Sequence, residues 1–205
     1  MTRNVAFVLF DGAEELDWIG PLEVFGVTSQ IVKDSCKVYT VSETGGQVTC
    51  ANRVRVVVDY GFADCPKPDI IVIPGGYGTR KEMENPAMLE WLRTASAAAE
   101  LTTSVCTGAL VLASAGLLEG KRATTWFGVR ADLANFKDVT PAGPEERWVD
   151  EWPVITAQGV SAGIDMALHV VGRLWSPETA RRVQQVIEYF PAPPYQDVPI
   201  PEVAV

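Results

Sequence analysis

The sequence predicts an α/β protein with a doubly wound, mostly parallel sheet and helices on both faces. Two apolar runs, residues 5–10 and 70–73, contain no polar alternation, which is typical of strands covered on both faces. Each run ends in turn-forming residues, at 11–12 and at 74–76. Helical patterns alternate with the strands along the 205 residues, and this alternation implies right-handed crossovers.

Weaker patterns supply the other strands. Residues 37–42 and Leu101–Val105 are predicted as two further strands. Alternating apolar residues between Gly45 and Asp59 indicate a hairpin-like excursion, and a second such region is expected around residues 148–156.

Caps and apolar stripes mark the helices. One helix begins at Pro86 after the Asn85 cap, one spans residues 162–175, and one opens at Ser176-Pro177. We expect a single domain over residues 1–190. An extended arm over residues 191–205 is expected to follow, because five of its fifteen residues are prolines.

Composition excludes several functions. The 17 basic and 26 acidic side chains give a net charge of −9, which argues against nucleic acid or an anionic membrane as partner. The apolar start is too short for a signal peptide, and the four cysteines show no CxxC spacing, so we expect a cytoplasmic protein with free thiols. The single histidine, His169, excludes a zinc site built on several histidines. It lies among apolar helical residues, so we expect it in the core or at an interface.

Cys106 is the candidate nucleophile. In such sheets ligands bind at the carboxyl ends of the strands, here the loops 11–20, 75–79 and 104–108. Cys106 lies where a buried strand turns into an apolar helix, which is nucleophile-elbow geometry. A small buried core residue would fit the same spacing, so the pattern alone leaves both interpretations open.

Activation of the thiol needs more than the helix. Lowering its pKa by about three units requires roughly 4 kcal/mol, whereas a helix N-terminus supplies about 1–2 kcal/mol. Further donors could come from the Thr107 hydroxyl, the backbone N–H groups of Gly75 and Gly76, or a protonated carboxylic acid.

The chain resembles the ThiJ/PfpI superfamily, of the flavodoxin-like, class I glutamine-amidotransferase-like fold, over about residues 4–196. Within it, the resemblance is to the bacterial isocyanide hydratases. The blocks that carry it are SVCTGA at 104–109, AGLLEGKRATT at 115–125, IPGG at 73–76, Leu16-Asp17 with Gly20-Pro21, SAGID at 161–165 and EYFPAPP at 188–194.

This resemblance implies a homodimeric lyase, without cofactor or metal, that adds water to a small isocyanide to give an N-formamide. It implies Cys106 as nucleophile, Asp17 as essential carboxylate, Thr107 as polar support, and Gly75 and Gly76 as substrate-binding residues. A thiolate would attack the isocyanide carbon, an acid would protonate it, and water would open the resulting thioimidate. Because two adjacent anions repel, the Cys106–Asp17 pair is expected to share one proton, which can sit on the carboxyl.

Departures from the family pattern bear on the substrate. Many superfamily members have glycine where this chain has Ser104, and protease-like relatives have histidine where it has Thr107. The family block Ala-Thr-Thr-His-Trp has Trp126 in place of its histidine, which changes the polarity of the pocket. The neighbouring Glu14 and Glu15 are expected to be solvated loop charges.

Other functions stay open at this stage. The same cysteine could serve an amidase or a glyoxalase-type enzyme, or a redox sensor in which its oxidation is the signal. The sensor half of a transcription regulator is disfavoured, since no helix-turn-helix segment or basic patch follows the α/β region.

Overall fold

The computed structural model describes residues 2–195 and 198–200. The strands are β1 (Arg3–Val8), β2 (Cys36–Ser42), β3 (Gly46–Thr49), β4 (Arg55–Val58), β5 (Tyr60–Gly61), β6 (Ile70–Ile73), β7 (Leu101–Val105), β8 (Arg122–Ala123), β9 (Thr140–Pro141), β10 (Trp148–Glu151) and β11 (Val154–Ala157). The helices are α1 (Glu15–Ile31), α2 (Thr79–Glu82), α3 (Pro86–Ala98), α4 (Gly108–Ser114), α5 (Ala162–Leu174) and α6 (Pro177–Val186), with a 3₁₀ segment at Phe127–Asn135.

Seven strands form one mixed sheet in the order β10-β11-β7-β6-β1-β2-β5. All neighbours are parallel except β10 and β11. β3 and β4 form a separate antiparallel hairpin, and β8 pairs with β9 in parallel. The predicted α/β fold class is confirmed, as are both hairpin-like regions.

Two hydrophobic cores lie on opposite faces of the sheet. Val5, Phe7 and Leu9 of the first apolar run belong to the core with α1, α5 and α6. Ala6 and Val8 belong to the core with α3, α4 and the 3₁₀ segment. Burial on both faces explains why this run shows no polar alternation.

Helix α1 corrects the expected loop 11–20, because the chain is already helical from Glu15. Its close approach to α5 depends on two glycines. A Cβ on Gly20 would lie 2.8 Å from Cγ1 of Ile164, and one on Gly163 would lie 3.2 Å from Cγ of Pro21. This close crossing therefore fixes the first turns of α1 against the first turn of α5.

The predicted arm has neither helix nor strand over residues 191–195 and 198–200, and its other residues lie outside the described part of the chain. A membrane-spanning helix of sufficient length and hydrophobicity is absent from residues 2–195 and 198–200.

Arg130 in the 3₁₀ segment is a buried charge. Its side chain is only 4% exposed, and its Nε has no hydrogen-bond partner among the described residues. No carboxylate of the described chain forms an ion pair with it. Burying a charged group without a partner opposes folding, because the desolvation penalty is not repaid.

We therefore expect Arg130→Met to raise the free energy of unfolding by about 1–2 kcal/mol, since the thioether fills similar space without charge. Urea unfolding measures this as a higher midpoint with an unchanged slope. Arg182→Met, at an exposed position of α6, is the control and should change stability by less than about 0.5 kcal/mol. A destabilised Arg130→Met protein would contradict the expectation.

Candidate active site

Cys106 occupies the sharp turn between β7 and α4. Its φ is 55°, in the left-handed region that a non-glycine residue rarely adopts. The turn is held by its own N–H, which donates to the carbonyls of Ala157 at 3.2 Å and Gln158 at 2.9 Å. The sulfur-bearing residue is 6% exposed and lies at the carboxyl end of a central strand. This is the strand–turn–helix arrangement that presents a nucleophile.

Asp17 lies in the first turn of α1 and is fully buried. Its Oδ2 accepts a hydrogen bond of 2.7 Å from the N–H of Gly75, while Oδ1 has no partner within ordinary distance among the described residues. Burial raises the pKa of Asp17 to about 7, against the opposing effects of the Gly75 N–H and the adjacent Cys106 thiol. The carboxyl is therefore poised to exchange a proton near neutral pH.

Two effects raise the pKa of the Cys106 thiol and favour its protonated form. Burial raises its pKa to about 12, with a further contribution from the negative charge of Asp17. Backbone N–H groups of Thr107 and Val160 and the Thr107 side chain favour the thiolate, but they do not outweigh burial. Asp17 and Cys106 are therefore a coupled pair that shares one proton. Burial of the thiol favours that proton on sulfur, whereas the sequence-based hypothesis allowed it to sit on the carboxyl.

Residues 75–79, called the glycine loop, join the segment at Glu14 to the turn at Cys106. The N–H of Gly76 donates to Oγ1 of Thr107 at 3.0 Å, and the N–H of Glu14 donates to the carbonyl of Gly75 at 2.9 Å. Gly76 has a φ of 114°, which glycine adopts without strain. The Thr107 hydroxyl also contacts Oγ1 of Thr79 at 3.2 Å. Thr107 therefore both supports the sulfur and ties two loops together.

A cavity of about 200 Å³ opens over the sulfur. Its lining residues are Glu14, Gly76, Tyr77, Arg80, Cys106, Thr107, Trp126 and Val160. Of the predicted residues, Cys106, Thr107 and Gly76 line the cavity. Asp17 and Gly75 do not line it, because Asp17 is fully buried and the Gly75 N–H is directed to its carboxylate. Gly75 is thus placed to hold Asp17 rather than to contact substrate directly.

The predicted site residues leave out five residues of the lining: Glu14, Tyr77, Arg80, Trp126 and Val160. Trp126 was connected with the pocket only through its departure from the family pattern, and nothing in its spacing placed it beside Cys106. Val160 has a φ of 42° and contributes a backbone N–H, a role that no side-chain pattern reveals.

Two other expectations need correction. Glu15 is not a solvated charge: it is 9% exposed and accepts hydrogen bonds from the backbone N–H of Asn52 at 2.7 Å and its Nδ2 at 2.8 Å. His169 is half-buried and not part of the core, its Nε2 lies 2.8 Å from Asp150 Oδ2, and its alternative place at an interface stays a prediction. It does not line the cavity over Cys106. Within the described residues, no three His, Cys, Asp or Glu side chains are grouped to hold a metal ion.

Known proteins resemble this chain along most of its length. The model of the DJ-1/PfpI family matches residues 3–173. An isonitrile hydratase of Pseudomonas putida is 37% identical over 195 residues, covering 95% of this chain and 82% of that protein. The HTH-type transcriptional regulator CdhR of Pseudomonas aeruginosa is 26% identical over 96% of this chain, which spans only 58% of the regulator.

Solved structures agree with the sequence relationship. The crystal structure of a ThiJ/PfpI family protein from Pseudomonas syringae superposes with a TM-score of 0.88 at 32% identity, covering 96% of this chain and 78% of that one. The resemblance expected from the sequence is thereby confirmed. The chain belongs to the DJ-1/PfpI family.

Proposed function

We propose that the protein is a cysteine-dependent lyase that adds water to isocyanides, also called isonitriles, to give N-formamides. The observation that carries the proposal is the Cys106 thiol beside the buried Asp17 carboxyl, under a small cavity with no imidazole in its lining. The similarity to an isonitrile hydratase supports the same chemistry. The reaction needs one nucleophile and one group that moves protons, and this pair supplies both.

The first half-reaction forms a thioimidate. The Asp17 carboxylate takes the proton from the Cys106 thiol as sulfur attacks the terminal carbon of R–N≡C, forming the C–S bond. Asp17 then returns that proton to the same carbon, giving R–N=CH–S–Cys. The backbone N–H groups of Thr107 and Val160 stabilise charge on sulfur until the bond is made.

Water completes the turnover. Its oxygen adds to the thioimidate carbon while one of its protons passes to nitrogen, giving R–NH–CH(OH)–S–Cys. The C–S bond breaks as the hydroxyl loses its proton, which returns to sulfur through Asp17. The products are R–NH–CHO and the resting thiol, so one water is consumed and no redox change occurs.

The test is incubation of the protein with phenyl isocyanide while N-phenylformamide is followed by chromatography. Cys106→Ala is the control that removes the nucleophile. Formamide produced by the native protein well above this control is the expected result. Equal amounts from both proteins would overturn the proposal.

The pH dependence follows from the pKa of Asp17, raised by burial to about 7. Below that pH the carboxyl is protonated and cannot accept the thiol proton, so we expect kcat/KM to fall about tenfold per pH unit. Above it the rate should be level to at least pH 9, because the pKa of Cys106 is near 12. Initial rates from pH 5 to 9.5, corrected for hydration without protein, measure the profile. A level profile through pH 7 would contradict the role of Asp17.

The alternative functions, a redox sensor and an amidase or glyoxalase-type enzyme, require different properties of Cys106. A redox sensor needs an accessible thiolate, whereas burial raises the pKa of the Cys106 thiol and so disfavours the thiolate form. Amidase or glyoxalase-type chemistry would use the same pair, but would release a free acid and amine or a hydroxy acid instead of a formamide. Product analysis therefore separates these activities. Homodimeric assembly and a cytoplasmic location stay predictions.

A further inference from the structure

We propose that Trp126 makes the enzyme selective for isocyanides whose nitrogen is bonded to a single flat aromatic ring. This inference rests on the proposed function and assigns its substrate class. It starts from the juxtaposition of the Trp126 indole and the Cys106 sulfur in the lining of one small cavity.

The indole is held in place by packing against two glycines. A Cβ on Gly128 would lie 2.2 Å from Cζ3 of Trp126, and one on Gly159 would lie 2.6 Å from its Cδ1. The benzene part of the indole thus lies against one glycine and the pyrrole part against the other. The Phe127 ring packs beside it at 4.8 Å between centroids. A half-buried side chain packed in this way forms a fixed wall of the cavity.

The size of the cavity limits the substituent. Its volume of about 200 Å³ is below the roughly 300–1,000 Å³ of pockets that take drug-sized ligands. When the reacting carbon is at the Cys106 sulfur, a one-ring substituent fills the remaining space. Because Trp126 and Cys106 both line this small cavity, a one-ring substituent on an isocyanide bound at the sulfur lies within reach of the indole.

The chemistry of the wall favours an aromatic ring. An electron-rich indole stacks with an offset on a ring that carries an electron-withdrawing isocyano group, a gain beyond simple burial. A puckered cyclohexyl ring has similar apolar area but no π-face. The histidine of the family pattern would present a smaller, polar ring at this position.

The test compares phenyl isocyanide with cyclohexyl isocyanide. We expect the kcat/KM ratio of the two to fall about threefold to tenfold in Trp126→Leu, as expected for loss of an aromatic pair, and to be largely kept in Trp126→Phe. Gly128→Ala, which displaces the indole without replacing it, should lower the ratio in the same direction. Trp148→Leu changes a tryptophan outside the cavity and is the matched control. An unchanged ratio in Trp126→Leu, or an equal fall in the control, would overturn the inference.

Binding of the two products gives a readout that does not depend on turnover. Calorimetry should show tighter binding of N-phenylformamide than of N-cyclohexylformamide, with the difference lost in Trp126→Leu. If the native protein hydrates neither isocyanide but keeps this preference, the proposed reaction fails while the selectivity of the cavity stands. Equal binding of the two formamides, or binding of neither, refutes the selectivity itself.

Discussion

Asp17→Asn is expected to lower kcat for isocyanide hydration by about a thousandfold while the fold is retained. The amide still accepts the hydrogen bond from the Gly75 N–H through its oxygen. It cannot take the proton of the Cys106 thiol or deliver it to carbon, and general acid–base groups typically contribute 10²–10⁴-fold. Single-turnover kinetics and circular dichroism measure the two parts of this expectation.

The same variant has a second signature in its stability. Burial raises the pKa of Asp17 from 3.8 to about 7, so the native carboxyl stabilises the fold fully only below about pH 4. That contribution is lost as pH rises through 7, because a charge then lies in the interior. Asp17→Asn removes this cost, so it should be more stable than the native protein by about 2–4 kcal/mol at pH 8 and similar at pH 4.

Asp132→Asn, an exposed carboxyl of the 3₁₀ segment, is the matched control and should change neither rate nor pH dependence. Turnover retained in Asp17→Asn would exclude Asp17 as the proton carrier. A stability difference independent of pH would show that the effect comes from packing rather than charge.

Gly75→Ala is expected to damage both the fold and the site. The added Cβ would lie 2.5 Å from the backbone nitrogen of Thr107 and 2.8 Å from Cβ of Cys106, closer than real atoms approach. The loop must shift, which costs about 1–3 kcal/mol and misplaces the N–H that holds Asp17. We expect kcat to fall at least a hundredfold, because small displacements of reacting groups carry such penalties.

Gly26→Ala provides the comparison, since a Cβ at this position of α1 meets no atom within 4 Å. It should leave the rate unchanged and raise stability by about 0.5–1 kcal/mol, as alanine favours the helix. Thermal unfolding and steady-state rates on both variants decide the matter. Native turnover of the Gly75→Ala protein would contradict this expectation, because it would show that the loop accommodates a Cβ at position 75 without displacing Asp17.

Much of the fold could be predicted because the strongest patterns are local. The run Ile70–Ile73 is entirely buried, and a continuous apolar stretch between turns reports that directly. Helix α1 was missed at its start, because it combines apolar residues on several sides with Pro21 in its interior. Packing against both the sheet and the neighbouring helices overrides those signals.

The residues of the site also fall into two groups, those that the local sequence predicts and those that only the tertiary structure brings together. The elbow at Cys106 follows from consecutive residues, whereas Asp17 was reached only through resemblance, since its burial depends on α1 meeting the glycine loop. Trp126 and Val160 come from distant segments whose approach no local spacing encodes. The burial of Arg130 has no explanation in the sequence or in its described contacts, because no acidic side chain is paired with it.

The two edge strands of the sheet affect whether copies of the protein aggregate in solution. An open sheet offers unpaired backbone groups at each side, and long flat edges recruit strands from other molecules. Here one edge strand, β5, has only two residues, and the other, β10, carries Asp150 and Glu151. Short length and charge both discourage strand addition, and the net charge of −9 adds mutual repulsion between copies. The same edges therefore protect a concentrated solution of this protein against β-aggregation.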